Sequence, residues 1–169
     1  TIGKSGRSLL GLINSLLDVS RMEIGNKPQM IVFDLHEMLG DIRAMLDVQA
    51  KAKGIELILH IHPDVPHFIL GSMRHFEEVL INLAGNAVKF TSRGYVRISV
   101  ELVSRMGDDL RLRFDVSDTG IGIAAEAQSR IFESFTQADE TIIDRFGGTG
   151  LGLSIARQLV HAHGGEIGV

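Results

Sequence analysis

The sequence predicts a two-layer α+β sandwich, a mixed β-sheet with helices packed on one face, preceded by one long amphipathic helix. Three observations predict it. From about residue 30 onward, helical and strand-like patterns alternate along the chain. Two β-rich runs, Tyr95–Val103 and Leu110–Val116, flank Met106-Gly107-Asp108-Asp109, which reads as a hairpin and argues against a purely parallel sheet. The 169 residues, 44% hydrophobic and 22% charged, are enough for one well-buried domain and a short accessory element.

From Thr1 to about Ile24, Ile2, Leu9, Ile13, Leu16 and Leu17 recur at helical spacings. A helix of this length cannot bury such a stripe alone, so a partner helix is expected. Gly25-Asn26-Lys27-Pro28 stops it, since Gly suits a helix C-terminus and the residue before Pro leaves the helical region. A boundary therefore divides residues 1–26 from a domain over 27–169. Met30–Phe33 reads as a short strand. Asp34 caps a helix from Leu35 to about Lys53, which Gly54 ends. Ile55–Ile61 is strand-like, and Pro63 and Pro66 bound a loop. Ser72 is expected to cap a helix from Met73 to Phe90, with Phe76, Val79, Leu80, Leu83 and Val88 inward. Beyond the hairpin and Asp118 the chain is Gly-rich, then weakly helical, then Gly-rich again. A last helix, Leu151–His163, ends at Gly164-Gly165, and a strand, cut short by the chain end, is expected to begin at Glu166.

Seventeen Lys+Arg against 21 Asp+Glu give a formal charge of −4, no electrostatic footprint for nucleic acid. No cysteine is present, which excludes a disulfide framework and a thiolate metal site. No stretch approaches the roughly 18 consecutive apolar residues of a membrane span. A soluble chain with no membrane contact of its own is expected, in the cytoplasm, with a parent protein compatible with an anchor in the inner membrane.

Three segments carry the chemistry. In Asn82-Leu83-Ala84-Gly85-Asn86-Ala87-Val88-Lys89-Phe90, Asn82, Asn86 and Lys89 fall at i, i+4 and i+7, one face of a helix. Two amides and an ammonium on an otherwise apolar helix read either as a ligand face or as a solvated stripe. An amide oxygen suits Mg²⁺, which takes most of its ligands from phosphate and water, and Lys89 can neutralise a phosphate. In Asp118-Thr119-Gly120-Ile121-Gly122, a strand-end carboxylate can accept the exocyclic amino proton of adenine and repel the carbonyl of guanine. The two glycines permit close approach of a flat base, although Asp-x-Gly also makes ordinary turns. Gly147-Gly148-Thr149-Gly150-Leu151-Gly152-Leu153 leads into the last helix, whose first N–H groups lack internal partners and suit phosphate. It is neither a Walker loop nor a dinucleotide fingerprint, and structural turn glycine is the competing reading.

In this order the three segments resemble the N, G1 and G2 boxes of the GHKL superfamily, and specifically its histidine kinase branch. Phe132-Glu133-Ser134-Phe135 matches that branch's F box. Ser20-Arg21-Met22-Glu23-Ile24-Gly25 resembles the end of the second helix of a dimerisation and phosphoacceptor hairpin. Phe135-Thr136-Gln137-Ala138-Asp139 and Arg145-Phe146-Gly147-Gly148-Thr149-Gly150 are similar to hybrid kinases, which also carry a receiver domain.

The resemblance implies a layered α/β domain with ATP under a lid formed by about Ala124–Thr149, Phe135 closing onto the site. It implies Asp118, with Gly120, Gly122 and Ile123, at adenine, and Asn86 on Mg²⁺. Asn82 and Lys89 are implied at phosphate as the catalytic pair, with Phe90 and the 147–153 glycine segment also on the nucleotide. The γ-phosphoryl would pass to a histidine in a phosphoacceptor domain, for relay to a receiver aspartate. In gyrase-like ATPases a water-activating glutamate sits four residues before the metal-binding Asn. Asn82 occupies that position here and cannot take a proton at neutral pH, which favours transfer over hydrolysis.

The chain departs from the family at several places. The phosphoacceptor motif, His-Glu/Asp-Arg-Thr-Pro, is absent, and His36-Glu37 runs into Met38-Leu39 instead. The chain as given is therefore expected to bind ATP without phosphorylating itself. Ser72, His75 and Glu78 stand where the family often has Asp, Arg and Gln. Gly3-Lys4-Ser5 mimics the end of a Walker loop without the upstream glycine. His60 and His62 share a strand face but have no apparent third metal ligand. His161 and His163 suit a helix C-terminus. A silent nucleotide-binding scaffold, an ATPase of gyrase or chaperone type, and a serine kinase of anti-sigma type are the rival readings.

Overall fold

The computed structural model describes residues 28–132 and 152–169. It forms two compact units, one being Met30–Gly122 and the other including the chain from Ile123 on. The expected amphipathic helix before Pro28 lies outside the described residues, as does most of the expected lid.

In the Met30–Gly122 unit, strand β1 (Ile31–Asp34) runs directly into helix α1 (Leu35–Lys53). The junction is a side-chain cap: the Asp34 carboxylate accepts from the His36 and Glu37 backbone N–H groups at 2.9 and 3.1 Å. Those N–H groups, Glu37's foremost, hold the Asp34 carboxyl below its usual value. Leu35, Met38, Leu39, Ile42, Leu46 and Ala50 form the buried stripe of α1. Gly54 ends the helix in the left-handed region, at φ 67°.

Strands β2 (Glu56–Ile61) and β3 (Phe68–Gly71) follow, and then helix α2 (Met73–Phe90). Ser72 occupies the N-cap place of α2, but its side chain makes no capping bond. The Ser72 carbonyl starts the helix instead, accepting from the His75 and Phe76 N–H groups. The inward face of α2 is Leu80, Ala84, Ala87 and Val88, with Phe76 half-buried beside it. Strands β4 (Tyr95–Met106) and β5 (Asp109–Asp118) form the expected hairpin, turning through Gly107 and Asp108 with Gly107 at φ 63°. A register shift between Leu102 and Ser104 leaves Val103 exposed.

The expected single sheet is divided. β1 pairs antiparallel with β3, while β2, β4 and β5 form a second sheet, parallel between β2 and β4 and antiparallel between β4 and β5. Among the described residues, the four-residue strands β1 and β3 find partners only in each other. The fold nevertheless remains a mixed α/β layer structure. Val96, Ile98 and Val100 of β4 are essentially fully buried in one core with Leu57 and the apolar faces of α1 and α2. Arg97 and Glu101 occupy the opposite, exposed face. Phe76 ties the layers together, 5.9 Å from the Phe33 ring and 5.8 Å from that of Phe114. Each fully buried Leu or Ile here contributes about 1.5–3 kcal/mol. An exposed pair such as Lys51–Asp47 contributes about 0–1 kcal/mol, so burial holds the unit together.

In the other unit, the weakly helical stretch contains the short helix α3 (Ala125–Gln128). The last helix, α4 (Gly152–Ala162), buries Ser154, Ile155, Ala156 and Leu159. It ends where Gly165 N–H donates to the Val160 carbonyl and Gly164 takes φ 70°. The strand expected from Glu166 does not form, because residues 165–169 pair with no other strand among those described. No helix among the described residues is long and apolar enough to cross a membrane.

Candidate functional site

The C-terminal turns of α2 carry the first predicted segment. Asn82, Asn86, Lys89 and Phe90 are all half-buried there, so the polar stripe is not simply a solvated face. Burial holds the Lys89 ammonium pKa below its usual value. Its Nζ lies 5.0 Å from the centroid of the Phe90 ring.

The second segment begins at the end of β5. Asp118 is exposed, and its Oδ1 accepts from Gly120 N–H at 2.8 Å, which fixes the carboxylate through one oxygen. Gly120 in turn abuts the last turn of α2. A β-carbon there would fall 2.7 Å from the Phe90 carbonyl oxygen, closer than real contacts permit. Asn86 lies one turn before Phe90, roughly 6 Å along the helix axis. The structure thus brings Asn86, Lys89, Phe90, Asp118 and Gly120 to one end of α2, with Gly122 following at φ 71°.

Ile123, Gly152 and Leu153 are described in the other unit, and Ile123 is exposed. Phe135, Gly147, Gly148, Thr149, Gly150 and Leu151 lie outside the described residues.

Three further residues brace this corner and escaped the sequence reading. Thr119 Oγ1 accepts from Tyr95 N–H at 3.0 Å and donates to the Arg93 carbonyl at 2.9 Å, tying the loop after α2 to the strand end. Gly94, at φ 100°, makes room for it, since a β-carbon there would lie 2.1 Å from that hydroxyl. Lys53, read only as the end of α1, donates to the carbonyls of Val88, Lys89 and Thr91 at 2.6, 2.7 and 2.8 Å. The signal for Lys53 was a basic residue in a last turn just before Gly54, but nothing local says which carbonyls it reaches. The Thr91 side chain is fully buried, and its hydroxyl has no hydrogen-bond partner among the described residues. No cluster of three or more His, Cys, Asp or Glu that could hold a metal ion exists among the described residues, His60 and His62 included.

Residues 71–169 match the family described as histidine kinase-, DNA gyrase B- and HSP90-like ATPases, more than half of the chain. The chain belongs to this family. Among its relatives, this ATPase-family chain is 45% identical over 170 residues to the sensory/regulatory protein RpfC of Xanthomonas campestris, covering 99% of the chain and 23% of RpfC. It is 40% identical over 168 residues to the signal transduction histidine-protein kinase BarA of Escherichia coli, covering 99% of the chain and 18% of BarA. The chain therefore spans only about a fifth of the length of these relatives. Among solved structures, full-length ShkA in complex with AMPPNP matches 98% of the ATPase-family chain and 34% of its own length, with a TM-score of 0.79 and 35% identity.

Proposed function

We propose that this chain is the ATP-binding catalytic domain of a sensor histidine kinase in a two-component system. In this reading it binds Mg·ATP and transfers the γ-phosphoryl group to a histidine outside residues 1–169, for relay to a receiver aspartate. The observation that carries the reading is the apposition of the Asp118–Gly120 turn to the last turn of α2, because it unites the base-recognising carboxylate with the amide and ammonium face. RpfC and BarA, with names of regulatory and kinase proteins, and the AMPPNP complex of ShkA support it.

Within this reading each residue has a physical task. Asp118, held through one oxygen by Gly120 N–H, accepts the adenine amino group and disfavours the guanine carbonyl. Lys89 meets phosphate as a point charge, and its partial burial strengthens that attraction. Asn82 donates to phosphate and, as an amide, cannot activate water by removing its proton, so the phosphoryl group is kept for an imidazole nitrogen. Transfer breaks the bond between the γ-phosphorus and the ADP oxygen and forms a phosphorus–nitrogen bond.

The donor set also fits Mg²⁺. One amide oxygen, Asn86, with no carboxylate cluster among the described residues, suits a cation whose other ligands come from phosphate and water. When bound, Mg²⁺ supplies charge neutralisation at the phosphates.

The domain division after residue 26, a phosphoacceptor hairpin helix before it and a cytoplasmic setting belong to the same proposal. So do a receiver partner and lid closure by Phe135. Calorimetric titration with Mg·ATP and Mg·GTP is the direct test, followed by incubation with radiolabelled ATP and a separate histidine-bearing hairpin. Preferential Mg·ATP binding and label on the hairpin histidine are expected. Equal affinity for both nucleotides, or steady phosphate release with no labelled hairpin, would overturn the proposal.

A further inference from the structure

We infer that Lys53 is a positioning residue for the nucleotide site, acting through the backbone at the end of α2. The last carbonyls of a helix have no partners within it, and they must find some elsewhere or remain exposed. At the end of α2 the Ala87 carbonyl accepts from Thr91 N–H at 3.1 Å. Three of the next four carbonyls, those of Val88, Lys89 and Thr91, accept from the single ammonium of Lys53. The fourth, that of Phe90, is the one that Gly120 stands against. An ammonium has three donors, and all three are spent on this one turn.

The anchor is itself fixed. Lys53 is the last residue of α1, where Gly54 and Ile55 N–H close the helix on the Lys51 and Ala50 carbonyls at 3.0 Å each. Three residues after Lys53, Glu56 N–H donates to the Gly94 carbonyl at 3.0 Å, where β2 meets β4. Lys53 therefore connects α1 and the sheet to the turn that carries Lys89 and Phe90 and that follows Asn86 by two residues.

A helix end merely needing a cap could be satisfied by water. A three-carbonyl clamp on one charged group does more, because it also fixes the direction in which the α2 side chains project. The consequence lies in the Mg²⁺ and phosphate end of the site. Loosening residues 88–91 blurs the placement of Lys89 and the Asn86 amide, and the gain in ATP affinity that Mg²⁺ brings should shrink.

This inference rests on the proposed nucleotide reading, and the test separates the two. ATP affinity is measured by calorimetry on the 169-residue chain with Mg²⁺ and with EDTA, for wild type, Lys53→Met and Lys53→Arg, alongside thermal unfolding. The ratio of the two affinities is the readout, since a general weakening of the fold lowers both alike. For Lys53→Met that ratio is expected to fall about tenfold, the scale of losing a charged hydrogen-bond clamp. For Lys53→Arg, which keeps charge and several donors, it is expected to stay near wild type. A folded Lys53→Met chain with the wild-type ratio overturns the role of Lys53 alone. Wild-type chain that binds no ATP under either condition overturns the nucleotide reading itself. If Lys53→Met does not fold, Lys53→Gln is measured by the same ratio, with a retained ratio again overturning the inference.

Discussion

Gly120 meets the Phe90 carbonyl so closely that no side chain fits between them: a β-carbon would sit 2.7 Å from the oxygen and 3.0 Å from the carbonyl carbon. This contact joins the end of β5 to the end of α2. Both partners are backbone, so neither can swing aside as a long side chain would. Gly120→Ala is expected to destabilise the chain by about 1–3 kcal/mol through overpacking and to weaken ATP binding by more than unfolding explains. Urea unfolding and calorimetric titration on the same preparation check it. Unchanged affinity in a destabilised chain would show that the contact serves the fold alone.

Asp118→Asn separates charge from geometry. The Asn oxygen can still accept from Gly120 N–H, and the residue is exposed, so stability should change by no more than about 0.5 kcal/mol. ATP affinity should fall far more, about tenfold or beyond, and preference over GTP should narrow. Parallel loss of stability and affinity would count against Asp118 as the adenine partner.

Asn86→Ala removes the proposed metal amide from a half-buried position on α2, where Ala keeps helix propensity. ATP binding in EDTA should hardly change, while the strengthening that Mg²⁺ brings should largely disappear. Titration with and without the metal decides it. Metal dependence equal to wild type would remove Asn86 from the metal site.

Lys89 gives the site a pH signature. Its pKa is lowered by burial from the usual 10.5, so the ammonium loses its proton at lower pH than an exposed lysine would. For stability the sign is favourable toward alkali. Below the folded-state pKa the buried charge costs stability, and that cost is relieved as pH rises through the folded-state pKa toward the unfolded one. For binding the sign reverses, because phosphate needs the charge. ATP affinity should therefore fall on the alkaline side, with a proton taken up on binding in that range. Adenosine affinity should stay flat. Lys89→Arg should extend tight ATP binding to higher pH. Calorimetry in buffers of different ionisation enthalpy measures the proton uptake, and a flat ATP profile would take Lys89 off the phosphate.

Much of this could be read along the chain because the signals are local. Asp34 before Leu35, Gly54 after Lys53 and Gly107-Asp108 between two alternating runs act through bonds spanning a few residues, so α1 and the hairpin lay where expected. The α2 face carrying Asn82, Asn86 and Lys89 followed from helical periodicity alone. Ser72 holds the N-cap place as expected, but a capping residue type does not tell whether its side chain or only its carbonyl is used. The strand expected from Glu166 failed for a related reason: alternation allows a strand, but only a neighbouring ladder makes one.

By itself, then, the sequence determined the residue types proposed to grip a nucleotide, the helix that displays three of them and the strand end that displays a fourth. Tertiary structure alone decided that β1 and β3 pair apart from the other strands. It also decided that Gly120 stops at Phe90, that Thr119 reaches Arg93 and Tyr95, and that Lys53 clamps three carbonyls some 35 residues away. The reason is the range of the forces involved. Periodicity and caps are set by neighbours along the chain. Which carbonyl an ammonium finds, or which backbone a glycine admits, depends on how distant segments pack once the apolar core has closed.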